Sequence, residues 1–443
     1  MLRRFAVDEW RLFGGRRFRL YHYLAMAQGI VGVLAGFDVV IPFALAMGTP
    51  PFVAVLLGVL PLAAGATPLV VPRLLDRTAG NLRGLTIFVA ALGETRGLLY
   101  AGLAVLVGVG VVGGPLTVVA LATIIGVASV LSAIGSANLC AWHAGVLPDG
   151  ELLLVVPRLF AVSLAMGAAL LLPLSLVLDS IVDRVGLAAY ALPFGIAGAV
   201  GVVEVLVITR LRHPGTVIVP PAALGASSPE TPDLARFLRV STINALGMGI
   251  APAMSVYTIS IVGLSAGFSM LLGSIGTLTM VVGAAAAGTR IAAGSADEMV
   301  RRSFAIRALA MFAPILALPG TVTAPLFLIA SSMLGAIGYA SGTIAANERL
   351  YRLLSGPAVI RHQGRYLAQT NGAMTAGQVV GAAVLAAGGP FGYPAYALLY
   401  GLSTGLRLTA FRLAAPGVAR EQEAAAPVAE VAAPVPAQEP QPA

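Results

Sequence analysis

The chain has 443 residues, of which 58% are hydrophobic and only 10% are charged, and its mean hydropathy is +0.92. A soluble protein of this length cannot bury so much apolar surface, so the composition excludes that class and predicts a polytopic membrane protein. The net charge of +8 comes from arginine alone, because the chain contains no lysine.

The beginning of the chain is basic, and residues 1–19 are predicted to be a cytoplasmic segment. The apolar run that follows, from about Tyr23 to Met47, is longer than the core of a signal peptide, which spans about 7 to 15 residues. We therefore interpret this run as a first membrane helix that is retained.

A membrane-spanning helix needs about 20 mostly apolar residues. Applied along the chain, with Gly, Pro and charge clusters as breaks, this length predicts an all-α protein with twelve spans. The predicted spans are Leu20–Met47, Phe52–Val71, Leu85–Val112, Leu116–Trp142, Val156–Leu178, Gly186–Thr209, Val240–Val262, Ala266–Gly288, Ser303–Leu318, Ala324–Ala346, Tyr366–Ala387 and Pro394–Leu413.

The loops between these spans alternate in charge. One set is rich in arginine, and the other is uncharged except for Asp179, Asp183 and Arg184. The positive-inside rule then places both termini in the cytoplasm, which requires an even number of spans. Because the arginines flank the membrane, we expect the lipid bilayer to be their partner and expect no nucleic acid.

The longest loop divides the predicted spans into two groups of six. Residues 210–239 are polar and proline-rich and resemble a linker between bundles at 20–209 and 240–413. Arg16–Arg19 before the first span has a counterpart in Arg236–Arg239 before the seventh, and repeated six-span halves are typical of secondary transporters. Residues 414–443 are rich in Ala, Pro and Glu, and we expect them to be disordered.

The loop Pro72–Arg83 resembles the signature loop of the major facilitator superfamily, which follows a Gly-x-x-x-Asp-Arg-x-Gly-x-Arg-Arg pattern. Asp76 and Arg77 are in place, Pro72 stands at the first glycine, the second glycine is displaced to Gly80, and only Arg83 remains of the basic pair. The resemblance covers roughly residues 16–414. It implies two pseudo-symmetric six-helix bundles that move a solute by alternating access, with Asp76 and Arg77 in a cytoplasmic gate. Alternatively, these charges anchor the topology in a solvated turn.

Ionisable side chains inside the spans need an explanation, because each costs at least about 2.5 kcal/mol on insertion scales. Asp38 lies in the first span, which lines the central cavity in the family. We consider two roles for it equally: a carboxylate that couples transport to protons, and a buried group that is paired or caps a helix kink before Pro42.

The other intramembrane charges are Glu94, Arg96, Glu204 and Arg407. On a continuous helix Glu94 and Arg96 point in different directions, so we expect that they do not neutralise each other directly. We favour a structural ion-pairing role for them, since the third helix is peripheral in the family. Glu204 and Arg407 lie nearer the ends of their spans, and we expect both to reach the interface.

Uncharged polar residues form a second set of candidates. The resemblance implies that those on spans one, four, seven and ten line the cavity, although each is individually more typical of helix packing. They are Gln28, Asn138, Asn244, Tyr257 and Tyr339.

No pattern typical of an enzyme occurs. The four histidines are scattered without metal-ligand spacing, and the single cysteine, Cys140, excludes an intramolecular disulfide. The absence of lysine excludes a Gly-x-x-x-x-Gly-Lys phosphate loop. We expect no metal, no cofactor and no catalytic residues.

These observations predict a secondary transporter of a small, uncharged or amphipathic solute, coupled to protons through Asp38. We expect a monomer in a bacterial cytoplasmic (inner) membrane. The alternative is a non-transporting protein of the same fold that acts as an assembly or scaffold protein for other membrane components. The solute, the direction of transport and the coupling ion stay open.

Overall fold

A computed structural model describes residues 19–65, 67, 81–146, 149–211, 232–251, 254–292, 296–353, 358–388 and 392–414. Within these ranges the protein consists of α-helices, 3-10 turns and short connections, and contains no β-strand. We refer to residues 19–211 as the N-terminal half and to residues 232–414 as the C-terminal half.

The structure describes nine α-helices in the N-terminal half. In chain order they are α1 (Arg19–Leu34), α2 (Phe37–Ala46), α3 (Pro51–Leu57), α4 (Val59–Ala64), α5 (Leu82–Gly93), α6 (Arg96–Gly108), α7 (Pro115–Val146), α8 (Asp149–Val185) and, after the 3-10 turn Gly186–Tyr190, α9 (Ala191–Arg210).

In the C-terminal half the structure describes one short helix and six longer ones. Its elements are α10 (Pro232–Ile250), α11 (Met254–Ser260), α12 (Ala266–Ala292), α13 (Ala296–Leu316), α14 (Ala324–Leu353), α15 (Ala358–Gly388) and α16 (Tyr393–Leu413).

Six helical stretches in the described ranges are long and apolar enough to cross a membrane. The stretch Leu159–Arg210 is 52 residues long and bends at the 3-10 turn, so it has the length of two crossings. The chain is therefore an integral, multi-pass membrane protein. The six stretches are Arg19–Ala46, Leu82–Gly108, Pro115–Ser136, Leu159–Arg210, Ala266–Ala284 and Ala324–Arg349.

Several of the predicted spans are interrupted, the first and the third among them. The first breaks between α1 and α2, where Gly36 adopts an extended conformation and becomes the N-cap of α2. The third breaks between α5 and α6 at Glu94 and Thr95. The apolar length of these spans was predicted from the sequence, but the position of neither break was.

Close glycine contacts hold the helices together in the same way in both halves. A Cβ atom on Gly29 of α1 would lie 1.8 Å from the carbonyl oxygen of Ser163 on α8, and one on Gly249 of α10 would lie 2.0 Å from that of Met374 on α15. Glycine permits this approach because it has no side chain, as in many membrane helix pairs.

Two aromatic clusters also occupy matching positions. In the N-terminal half, Phe43 contacts Tyr190 and Phe194, with ring centroids 5.2 and 5.6 Å apart. In the C-terminal half, Tyr257 contacts Tyr396 and Tyr400 at 5.4 and 5.5 Å. In each case the two partners are four residues apart. Tyr396 and Tyr400 share one face of α16, and Tyr190 ends the 3-10 turn that leads into α9.

The two halves contact each other through several pairs of helices. Helix α2 packs on α11 and α12, α3 and α4 pack on α15, and α8 packs on α12. The Asp179 carboxylate on α8 accepts a hydrogen bond of 2.9 Å from the backbone N–H of Gly267, in the first turn of α12. An acidic group at a helix N-terminus satisfies a free N–H and complements the helix dipole, so this bond joins the two halves.

Candidate functional site

The break in the first span places Asp38 at the boundary between the two halves. Asp38 lies in the first turn of α2 and is half-buried. Its carboxylate packs against Gly273 of α12, where an added Cβ atom would be 2.6 Å from the Asp38 Cγ. Among the described residues it forms no ion pair, and the N-cap of α2 makes no side-chain hydrogen bond.

A cavity of about 390 Å³ opens beside the same break. Helices α1, α2, α4, α6 and α7 line it, and its polar groups come from α6 and α7. These groups are Arg96, Tyr100, Ser129, Ser132 and Ser136. A larger groove of about 500 Å³ lies between the start of α10 and the end of α16, beside Arg236 and Arg412 and away from the cavity.

The serines were not among the residues expected from the sequence. Ser129, Ser132 and Ser136 are spaced by three and four residues, which places them on one face of α7. That spacing is visible in the sequence and is the signal that could have identified a polar stripe on the fourth predicted span.

Glu94 and Arg96 do neutralise each other, contrary to the expectation from a continuous helix. Arg96 Nη1 lies 3.0 Å from Glu94 Oε2 and also donates to the Gly93 carbonyl and the Ser132 hydroxyl. The Ser132 hydroxyl in turn donates to Glu94 Oε1 at 3.2 Å. The helix break between α5 and α6 turns the two side chains toward each other, so the structural ion pair exists.

Glu204 does not reach the membrane interface, contrary to the expectation from its place near the end of the sixth predicted span. It is 1% exposed, and neither carboxylate oxygen has a hydrogen-bond partner among the described residues. Its polar surroundings include Gln28, Glu94 and Arg96. Gly201, one turn earlier, packs against the backbone of Glu94, so this face of α9 points at the break between α5 and α6.

Arg407 is also buried inside the protein and does not extend to the interface. It is 4% exposed, and its Nη1 donates to the carbonyl oxygen of Arg307 at 2.9 Å. Arg307 is a third intramembrane arginine, which the sequence reasoning missed. It stands within the ninth predicted span with no acidic residue within four positions on either side, and that isolation was the available signal.

The uncharged candidates differ in exposure. Asn138, Asn244 and Tyr257 are buried, and the Tyr257 hydroxyl donates to the Ala317 carbonyl at 2.7 Å. Gln28 is half-buried beside Glu204, and Tyr339 is 42% exposed.

Most of the expected gate lies outside the described residues. Asp76, Arg77 and Gly80 fall there. Arg83 is described, and its Nη2 donates to the Thr209 carbonyl at 2.7 Å, which connects the start of α5 to the end of α9.

At the surface, α13 begins with an ion-paired cluster. Glu298 accepts hydrogen bonds of 2.7 Å from both Arg301 and Arg302, and these bonds lower the pKa of its carboxyl from the usual 4.5 to about 2. No group of His, Cys, Asp or Glu in the described ranges is arranged to hold a metal ion.

No family model matches the chain, and no curated protein matches it. Solved structures of transporters do match over most of its length. The nucleoside transporter NupG is 14% identical, with a TM-score of 0.61, and the match covers 90% of this chain and 100% of that one.

Two further structures give the same result. A D-xylose–proton symporter is 11% identical, with a TM-score of 0.64, over 88% of this chain and 97% of that one. A bacterial homologue of the iron transporter ferroportin, in its inward-facing state, is 15% identical, with a TM-score of 0.60, over 90% of this chain and 98% of that one. The chain therefore shares the fold of these solved transporters, and that fold agrees with the one that the resemblance in the sequence implies.

Proposed function

We propose that the protein is a secondary transporter in which twelve membrane helices form two six-helix bundles that rock about a central site. The bundles are residues 20–209 and 240–413, joined by the linker 210–239, and both termini are cytoplasmic. The solute is small and either uncharged or amphipathic.

One observation carries this proposal: the first and seventh predicted spans are interrupted at matching places. Helix α1 ends at Leu34 and α2 begins at Phe37, while α10 ends at Ile250 and α11 begins at Met254. Interrupted helices at corresponding positions of two repeats are the best structural indication of a transporter's binding site. The matching glycine contacts and aromatic clusters support the same internal repeat.

Asp38 is the proposed coupling carboxylate, because it lies at one of these breaks and on the seam with α12. Rocking of the halves would separate Asp38 from Gly273 and change its contact with water. A carboxylate whose surroundings alternate in this way can take up a proton on one side of the membrane and release it on the other.

The test is solute-driven proton movement in liposomes that contain only this protein and a pH-sensitive dye. A nucleoside, a pentose and a dipeptide serve as probes. We expect wild type to move protons with at least one probe and the Asp38→Asn variant to bind or exchange that solute without proton movement. Asp183→Asn, which changes an exposed carboxylate, is the matched control.

Two results would count against the proposal. Proton movement that is unaltered in Asp38→Asn removes this residue from the coupling step. Folded protein that moves none of the probes but co-purifies stably with another membrane protein favours the scaffold function.

A further inference from the structure

Two arginines lie side by side within the helices of the C-terminal half. Arg307 on α13 is 6% exposed and Arg407 on α16 is 4% exposed. Neither forms an ion pair with a described residue, and among the described residues both guanidinium groups contact neutral partners only. Two like charges without an anion are costly in a low-dielectric interior, so their proximity needs an explanation.

Arg307 points into the C-terminal half and not toward lipid. Its Nε and Nη2 donate to the carbonyl oxygens of Gly338 and Tyr339 at 2.9 and 3.0 Å, and Nη1 lies 3.5 Å from the Met248 sulfur. Its guanidinium carbon is 5.4 Å from the centre of the Tyr339 ring. These contacts explain how Arg307 links α13 to α14 and α10.

The same contacts do not explain Arg407. It donates one hydrogen bond to a backbone carbonyl, and its buried Nε has no partner among the described residues. On the neighbouring α10, the Asn244 Nδ2 lies 3.7 Å from the same Met248 sulfur, so a further N–H donor is close to the Arg307 guanidinium. A helix-packing role would not require a second cation with an unused donor.

We infer that Arg307, Arg407 and Asn244 form a binding site for a small amphipathic anion, with one carboxylate or phosphate group on an apolar body. The planar donors of arginine suit such groups, and the surrounding helices are apolar. Tyr339, which is 42% exposed, forms the outer edge of the cluster. The inference rests on the proposed transport function and names the class of its solute: amphipathic and anionic.

Benzoate and benzamide are matched probes, because they differ in charge and little in size. Radiolabelled benzoate is bound to the full-length protein in nanodiscs of phosphatidylcholine, and unlabelled benzamide competes. We expect benzoate to bind and benzamide to compete weakly. Arg407→Gln and Arg307→Gln should each weaken benzoate binding by about ten- to a hundred-fold, the usual effect of losing a charged hydrogen bond.

Arg302→Gln is the matched control, since Arg302 is on the same helix but its side chain is 58% exposed. Size-exclusion elution and thermal stability identify variants that fail to fold. If Arg307→Gln fails, Arg407→Gln and Arg407→Lys decide the question, and we expect the lysine variant to bind with intermediate strength.

Equal competition by benzamide, an equal loss in Arg302→Gln, or no binding of benzoate, phenyl phosphate or inorganic phosphate at millimolar concentrations would overturn the inference. Displacement of benzoate by phosphatidylglycerol added to the nanodiscs would assign the cluster to a lipid headgroup and would also overturn it. Benzoate binding without any flux in liposomes would contradict the transport function and leave the anion site standing.

Discussion

In the N-terminal half, Arg96 meets the Glu94 carboxylate at 3.0 Å, and Ser132 bonds to both. In the C-terminal half, Arg307 and Arg407 meet backbone carbonyl oxygens and a thioether. The helix contacts and aromatic clusters of the two halves match, but their buried charges do not. The internal repeat therefore accounts for how the helices pack in both halves. The buried charges differ between the halves and indicate that the two halves have different roles.

The largest expected effect tests whether the packing of the two halves is equivalent. Gly29→Ala and Gly249→Ala should each destabilise the protein by about 3 kcal/mol, because the new methyl group would meet backbone atoms that cannot move aside. Unfolding of the purified protein in mixed SDS and non-ionic micelles measures the change.

Gly102→Ala and Gly401→Ala are the controls, one in each half, since an added Cβ atom meets nothing within 4 Å at either position. Both are helical, so alanine should be neutral or slightly stabilising. A large loss of folding stability in only one of the Gly29→Ala and Gly249→Ala variants would show that the two helix contacts are not equivalent.

The difference between the halves predicts opposite responses to the loss of one charge. Glu94→Gln should cost about 3 kcal/mol of folding stability, because it leaves Arg96 without its carboxylate. Arg407→Met should change stability by less than about 1 kcal/mol, or increase it, because it removes a cation that has no counterion. The same unfolding assay compares them.

Adding Arg96→Met to the Glu94→Gln variant provides an internal control. It should restore part of the lost stability, since it removes the Arg96 charge that Glu94→Gln leaves without a counterion. The comparison between the halves fails if Glu94→Gln is as mild as Arg407→Met.

Part of this arrangement could be predicted from the sequence. Apolar length and arginine distribution predicted the membrane helices, since these depend on composition over many residues. The pairing of Glu94 with Arg96 could not be predicted, because a helix break changes the direction of the two side chains. Glu204 and Arg407 were expected at the interface because the sequence shows how far along a span each residue lies. The sequence does not show to which side of the helix the side chain points, since that depends on neighbours such as Gly201 and Arg307.

The smallest expected effect concerns the charge cluster at the start of α13, where Arg301 and Arg302 have the carboxylate that Arg307 lacks. The pKa of the Glu298 carboxyl is lowered from 4.5 to about 2 in the folded protein. The stabilisation of the fold by the ionised carboxylate is therefore complete above pH 4.5 and is lost as the pH falls toward 2. Glu298→Gln should lower stability at pH 7 by at most about 1 kcal/mol, as is usual for exposed pairs.

Thermal unfolding of wild type and Glu298→Gln at pH 7 and at pH 3 measures this effect. The difference between the two proteins should shrink at the lower pH. Arg302→Gln, which removes one of the two donors, should lie between them at pH 7. A difference that is the same at both values of pH would show that charge pairing is not its cause.

The hydrogen bond from Gly267 to Asp179 also has a consequence for how the protein is made. The two residues are 88 positions apart, and a chain is synthesised from its N-terminus. Asp179 is therefore translated before its partner, and its carboxylate has no Gly267 N–H to accept from until the first turn of α12 has been made. The two halves can therefore join only late in biogenesis. A nascent chain that stops after α9 would have the Asp179 carboxylate without its hydrogen-bond donor at the surface where the second half docks.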